Sequence, residues 1–296
     1  MRINYTIIIP HKNSSKLLER CLKSIPQRED IEIIVVDDNS DDYDAVEAVV
    51  KHFPRTILYK NEGYGAGGAR NTGLKHVKGR WIVFSDADDY FVPNFLDVLD
   101  KYKDQDIDIV YHPALAVDSE TLKPKPQLLN KHNGYFEEYN GDKKTTDLIK
   151  YKLHSPWWKM VRTDFMYKFD IKFEEVPKGN DVFFTYQIGY FCKNIVVEKT
   201  PIYVHTYNRN GISFGKKTVD VRINSLIQSY KVNEFYDFIG HPEWGKNIIR
   251  KFCEIVKYDG FGLCVQTLIN FLVHYKSIQK VKNMYVEELL KRQIYE

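Results

Sequence analysis

The chain has 296 residues, 43% of them hydrophobic, enough for one sizeable α/β core with appended elements. Its 43 basic and 40 acidic side chains leave a formal charge of only +3, so no global field marks nucleic acid as a partner, and any anion must be met locally. Cys21, Cys192, Cys253 and Cys264 lack CxxC spacing, which argues against a disulfide framework or zinc site and fits reduced thiols in the cytoplasm.

The opening MRINYTIIIPHKN meets a proline too early for a secretory signal, and no later stretch has the length of a membrane span, so a soluble body is expected. Tyr5 to Ile9 reads as a strand ended by Pro10, and Ser14-Ser15 opens a helix with apolar Leu17, Leu18, Cys21, Leu22 and Ile25. Ile31 to Val36 is a nearly unbroken apolar run, the mark of a strand covered on both faces in a parallel sheet. A helix through Ala45 to Val50 follows, then a strand at Thr56 to Tyr59, a glycine-rich turn at Gly63 to Gly68, a helix from Ala69 to His76 and a strand at Trp81 to Phe84. This β-α-β order predicts an α/β fold with a doubly wound, Rossmann-like sheet. Beyond Ile107 to Tyr111, the stretch holding Pro113, Pro124, Pro126, Asn133-Gly134 and Asn140-Gly141 reads as hairpins and loops. From Val219 helical periodicity returns in three groups, around Leu226 to Val232, Ile248 to Val256 and Leu268 to Tyr275.

In an open α/β sheet ligands sit beyond the carboxyl ends of the strands. Here those ends are acidic: Asp37 and Asp38 follow one apolar run, and Asp86, Asp88 and Asp89 follow another. Like charges this close are relieved by a cation, and hard oxygen donors without nearby His or Cys favour Mg²⁺ or Mn²⁺ shared with substrate phosphates. Capping of helices and turns is the competing role for Asp37, Asp38 and Asp89 taken singly. The run Gly63-Tyr-Gly-Ala-Gly-Gly68 contains GxGxxG, with acids about 20 residues on, so an NAD-dependent oxidoreductase is a rival reading. Against it, the run follows the third strand, and Asp37-Asp38 has no role in that scheme. Otherwise these glycines let backbone approach an anionic donor, and Arg70 on the next helix can face a pyrophosphate or the neighbouring acids.

TIIIPHKN, IIVVDDNSDD, NEGYGAGGARNTGL and VFSDADDYFVP, in that order over about residues 5 to 100, resemble the motifs of glycosyltransferase family 2, whose fold is GT-A. The resemblance implies an inverting transferase using a nucleotide diphosphate sugar, with UDP as the expected nucleotide. It implies that Pro10 and Asp38 line the base pocket beside Asp37, that Gly68 and Arg70 lie on the donor side, that Asp86 approaches the ribose and that Asp88 ligates the Mn²⁺ or Mg²⁺. Ser155-Pro-Trp-Trp-Lys-Met resembles the family's Trp-x-Lys element, making Trp157, Trp158 and Lys159 acceptor candidates, with at most one indole stacking on a sugar. Gly179-Asn180-Asp181 resembles its Glu-Asp element, whose aspartate is the catalytic base. Here Asn180 stands where the family has glutamate, leaving Asp181 as the one carboxylate of the pair.

Three regions are expected: residues 1–110 for the nucleotide sugar, 111–218 for acceptor and base within the same domain, and 219–296 as a helical region. The transferase needs charge stabilisation on the leaving diphosphate and a base for the acceptor hydroxyl. A binding module that kept the pocket without catalysis is a further alternative. His205, after a strand, is expected to be a structural hydrogen-bonder outside the metal shell. The basic pairs Lys216-Lys217 and Arg250-Lys251, with Lys280 to Lys282, read as a solvated face or, alternatively, as contacts to anionic lipid or a lipid diphosphate at the inner face of the membrane. The expected acceptor is a glycan or lipid-linked glycan of a bacterial surface polymer, and the terminal helices offer a homodimer contact.

Overall fold

The computed structural model describes residues 2–208, 218–273 and 284–293. It divides into two compact units, Met1–Glu175 with Asn180–Phe214, and Val176–Gly179 with Gly215–Glu296.

In the first unit the chain runs β1 (Tyr5–His11), α1 (Ser15–Lys23), β2 (Ile31–Asp37), α2 (Tyr43–Val50), β3 (Thr56–Lys60), α3 (Gly65–Leu74), β4 (Trp81–Phe84), β5 (Tyr90–Phe91), α4 (Phe95–Leu99), β6 (Ile109–Tyr111) and β7 (Ala114–Asp118). It continues through α5 (Asn130–Glu138), α6 (Lys143–Lys152), β8 (Lys159–Arg162), α7 (Thr163–Lys168), α8 (Val182–Phe191), β9 (Ile195–Val197) and β10 (Tyr203–Tyr207). Seven strands form one mixed sheet in the order β3-β2-β1-β4-β8-β6-β9, and a small sheet has the order β5-β10-β7. Strands β2 and β4 flank β1 in parallel, with Ile7 opposite Ile33 on one side and Val83 on the other. Strand β8 runs antiparallel to β4 and β6.

The unbroken apolar strands are accounted for by burial on both faces: Ile7, Ile8, Ile9, Ile33, Ile34, Val35 and Val36 have no exposed surface. Burying each such side chain contributes roughly 1.5–3 kcal/mol. Because β1 is central, the carboxyl ends of β2 and β4 lie on either side of its own, and this places the two acidic loops at one sheet edge.

The sequence reading of the alternating half and its mixed GT-A class match the observed architecture, with three differences. Strand β1 continues through Pro10, paired with Val36, to His11, since parallel pairing through neighbouring residues outweighs the one missing N–H. Helix α3 starts at Gly65 rather than Ala69. Of the stretch read as hairpins and loops, residues 114–125 do turn back on themselves, with Val117 bridging Pro124, whereas its second part carries α5 and α6, with Asn133-Gly134 inside α5; buried Tyr135 and Phe136 anchor that helix. The Asp142 carboxylate caps α6 by accepting the Thr145 N–H at 2.7 Å, and only Asn140-Gly141 makes the turn, with Gly141 at φ 86°.

The second unit contains α9 (Val219–Phe238), α10 (Ile248–Asp259), α11 (Phe261–Val273) and a last described helix, Met284–Gln293. Leu226, Ile255 and Cys264 form its buried centre. Tyr275, Lys216-Lys217 and Lys280 to Lys282 lie outside the described residues. No helix among the described residues is long and apolar enough to cross a membrane.

Candidate active site

The acids at the sheet edge divide by what their carboxylates already hold. Asp37 is 2% exposed and accepts from the Ser40 N–H at 3.0 Å, the Ser40 hydroxyl at 2.5 Å and His11 Nδ1 at 3.0 Å. His11 Nε2 accepts the Ser14 N–H at 3.2 Å, which fixes the proton on Nδ1 and makes that nitrogen the donor to Asp37. Burial opposes ionisation of Asp37, but these donors outweigh it and hold its pKa below the ordinary carboxylate range. Asp38 is half-buried, accepts from Asn61 Nδ2 at 2.6 Å and lies 3.4 Å from Lys12 Nζ. Pro10, one residue before His11, is also partly exposed.

Asp89 has no exposed surface and accepts from the Tyr203 hydroxyl at 2.9 Å, His205 Nδ1 at 3.1 Å and the Thr206 N–H at 2.6 Å. Those donors come from β10, which pairs with β5 immediately after the acidic loop, so Asp89 pins the loop to the small sheet. The cost of burying His205 is outweighed by Asp89 and the other acids, which push its pKa up to about 9. His205 is thus the structural hydrogen-bonder expected of it.

Asp88 differs. Its backbone carbonyl accepts from Arg20 at 2.5 Å and the Thr206 hydroxyl at 2.6 Å, so its main chain is held on both counts. Among the described residues its carboxylate makes no ion pair. Burial first, and then Asp89 and Asp86, push its pKa up to about 7, the condition of an acid that a cation would relieve. No group of three or more His, Cys, Asp or Glu suited to a metal occurs among the described residues. The carboxylate oxygens of Asp88 and its acidic neighbours are hard donors of the kind that Mg²⁺ or Mn²⁺ takes together with phosphate and water oxygens.

Asp86 faces Arg70, 2.6 Å from its guanidinium. Arg70 is 5% exposed, stacks over Phe173 at 5.3 Å and donates its other terminal nitrogen to Asn180 Oδ1 at 3.0 Å. Of the two orientations the sequence allowed, it faces the neighbouring acid. Asp181 follows Asn180 at the start of α8. Burial raises the Asp181 pKa; Arg70 and the Lys159 ammonium oppose that rise, and Asp86 adds to it. Strand end, α3 and the α8 start are thereby joined by one guanidinium.

The glycine run is explained by close packing between protein segments. A Cβ on Gly67 would stand 2.0 Å from the Glu174 carbonyl oxygen, and one on Gly68 2.7 Å from the Gly63 backbone. Within the protein, the close approach at Gly68 is to Gly63. Glu175 fastens the same loop from outside, accepting the Tyr64 N–H at 2.9 Å.

The acceptor candidates need correction. Trp157 and Trp158 are 5% and 2% exposed; Trp157 lies parallel to Tyr203 at 5.0 Å and to His205 at 5.5 Å, so its faces are spent on protein. Trp158 packs among Trp157, His132 and Phe136. Lys159 has no exposed surface and donates to the Leu153 carbonyl at 2.6 Å, the Ser155 carbonyl at 3.3 Å and the Thr185 hydroxyl at 3.0 Å. Burial lowers its pKa to about 7, with Asp181 opposing. These three residues support the site from within; none presents a surface to an acceptor. His11 and Arg20 are the contributors missed by sequence reasoning. His11, directly after Pro10 at a strand end, carried a positional signal, whereas Arg20 carried none, because its partners, the Asp88 carbonyl and Thr206, are distant in sequence.

The glycosyl transferase family 2 model matches residues 6–165, more than half of the chain. The chain belongs to glycosyltransferase family 2. It is 23% identical over 238 residues to EpsH of Bacillus subtilis (strain 168), covering 78% of this chain and 64% of that relative. It is 32% identical over 129 residues to the minor teichoic acid biosynthesis protein GgaB of the same organism, covering 40% of this chain and 14% of the relative. The chain thus spans less than two thirds of the length of either. Among solved structures, that of S. aureus TarS residues 1–349 in complex with UDP-GlcNAc superposes with a TM-score of 0.64 at 19% identity, covering 98% of this chain and 92% of that one. Family membership and the packed glycines set aside the dinucleotide reading of Gly63 to Gly68.

Proposed function

We propose that this family 2 chain moves a sugar, with inversion, from a UDP-linked donor to a hydroxyl of a glycan or lipid-linked acceptor in surface polysaccharide assembly. The observation that carries the reading is the path from Asp181 through Asn180, Arg70 and Asp86 to the loop bearing Asp88, which links a half-buried carboxylate of raised pKa to an acid that makes no ion pair among the described residues. The donor named with the TarS structure supports UDP, and the polymer named for GgaB supports a cell-surface product.

In this reading Pro10 and Asp38 border the nucleobase with Asp37 holding the turn, and the Asp86 oxygen not bound to Arg70 meets a ribose hydroxyl. Asp88 would hold Mn²⁺ or Mg²⁺, which supplies Lewis-acid charge to the diphosphate when bound. Asp181 takes the proton of the acceptor hydroxyl as that oxygen bonds to the anomeric carbon; the bond from that carbon to the phosphate oxygen breaks, and UDP leaves with its electron pair. One displacement inverts the centre. Gly68 serves the donor side indirectly, by letting the Gly63 loop close. A cytoplasmic location, with peripheral contact at the inner membrane face, and a homodimer belong to the same proposal.

The test measures UDP release from UDP-GlcNAc and UDP-glucose with Mn²⁺, for the wild type and Asp181→Asn. The variant is expected to lose at least about 100-fold in kcat with the metal-dependent thermal shift by UDP intact. Wild-type turnover in Asp181→Asn would overturn the assignment, and loss of the UDP shift alongside turnover would assign Asp181 to binding instead.

A further inference from the structure

Asn180 is where this chain departs from the pattern it resembles, and the structure gives that departure a partner. The guanidinium of Arg70 is nearly enclosed, lies over the Phe173 ring, and divides its terminal nitrogens between the Asn180 amide oxygen and the Asp86 carboxylate. Arginine only donates, so the Asn180 amide must present its oxygen to it. The Arg70 Nε is buried and has no hydrogen-bond partner among the described residues, so the orientation of this side chain rests on those two terminal contacts and on Phe173. Gly67, on the same helix, abuts both Glu174 and Asn180 Cβ, the latter at 3.1 Å from a built Cβ, so Asn180 is fixed from two sides.

Resting on the reading of Asp181 as the base, we infer that Asn180 is a positioning residue: its neutral amide anchors Arg70 beside Asp181 without adding a carboxylate that would compete for the guanidinium's charge. The charged groups acting on Asp181 are Arg70 from α3, Lys159 from β8 and Asp86 after β4. A carboxylate at 180 would keep the contact to Arg70 and add a like charge next to the base, whereas a side chain without an acceptor would leave a buried N–H unpaired and free the guanidinium to shift.

Two substitutions separate these effects. Asn180→Ala is expected to lower kcat for UDP release from UDP-GlcNAc about tenfold, with KM within about twofold of wild type, because misplacement affects the reacting geometry more than donor binding. Asn180→Asp, isosteric and still an acceptor, is expected to restore kcat at high pH. It should move the acid limb of the kcat profile upward by about one pH unit, since the base must lose its proton beside a new negative charge. The ¹³C carboxyl resonance of Asp181, assigned by its loss in Asp181→Asn and titrated with Mg²⁺ present, should move upward by the same amount; it reads the effect independently of turnover. A resonance and acid limb both unmoved in Asn180→Asp, or wild-type kcat in Asn180→Ala, overturns the inference. Asp181→Asn tells the two failures apart: if it abolishes turnover while the Asn180→Asp titration is unmoved, only Asn180's role is wrong, and if it retains turnover the base assignment falls and this inference with it.

Discussion

Replacing Gly67 by alanine sets two physical expectations against each other. Gly67 lies within α3, and glycine inside a helix costs roughly 0.5–1 kcal/mol relative to alanine, so propensity alone predicts that Gly67→Ala stabilises. The structure predicts the reverse. The new Cβ would stand 2.0 Å from the Glu174 carbonyl oxygen, so α3 and the segment carrying Glu174 must separate by about 1 Å to restore ordinary contact. Overpacking of that kind costs about 1–3 kcal/mol, and the obstacle is backbone rather than a flexible side chain. A net destabilisation of about 1 kcal/mol follows, equivalent to a fall in Tm of about 2–4 °C for a unit of this size. Gly134 provides the control: it lies inside α5 with open space where a Cβ would go, so Gly134→Ala should gain about 0.5–1 kcal/mol. Urea unfolding of the three proteins, followed by circular dichroism, measures both changes. If Gly67→Ala is as stable as Gly134→Ala, the account of the glycine run as a packing device is wrong.

Lys159→Met should alter the pH dependence of stability. The folded chain holds Lys159 at a pKa of about 7 and the unfolded chain at about 10.4, so between those values the unfolded state binds more protons and stability rises with pH; the wild-type urea midpoint should therefore climb relative to that of the variant from about pH 7 to 10, and a difference that stays constant over that range would refute the lowered pKa. Asp88→Ala should leave the fold intact but abolish the added stabilisation that Mn²⁺ gives to UDP binding, measured by calorimetric melting; a full metal-dependent shift in the variant would exclude Asp88 as the ligand. Trp157→Ala should destabilise by about 3–5 kcal/mol, as expected for a buried indole between rings, and an unchanged Tm would contradict its burial.

The alternating half of the fold was legible because unbroken apolar strands and the acids that follow them are written in adjacent residues. Ile31 to Val36 announces a covered strand, and the chain direction puts Asp37 and Asp38 at its carboxyl end. What the other half contains depends on tertiary partners. Asn133-Gly134 has the composition of a turn, yet Tyr135 and Phe136 find a buried surface and the helix persists. Lys159 and the two tryptophans looked like recognition residues because their segment resembles the family's Trp-x-Lys element, and their burial is set by partners that the segment itself does not name. The separation of Asp89 from Asp88 was equally hidden, since the three donors to Asp89 lie more than a hundred residues away on β10.

That division of neighbouring aspartates has a bearing on any mutational scan. Substitutions at Asp37 and Asp89 each remove the acceptor of three donors at once, so they should appear as poor recovery of folded protein. Substitutions at Asp88 and Asp181 relieve partly buried negative charge, so such variants should express as well as the parent, or better, while falling silent in the assay.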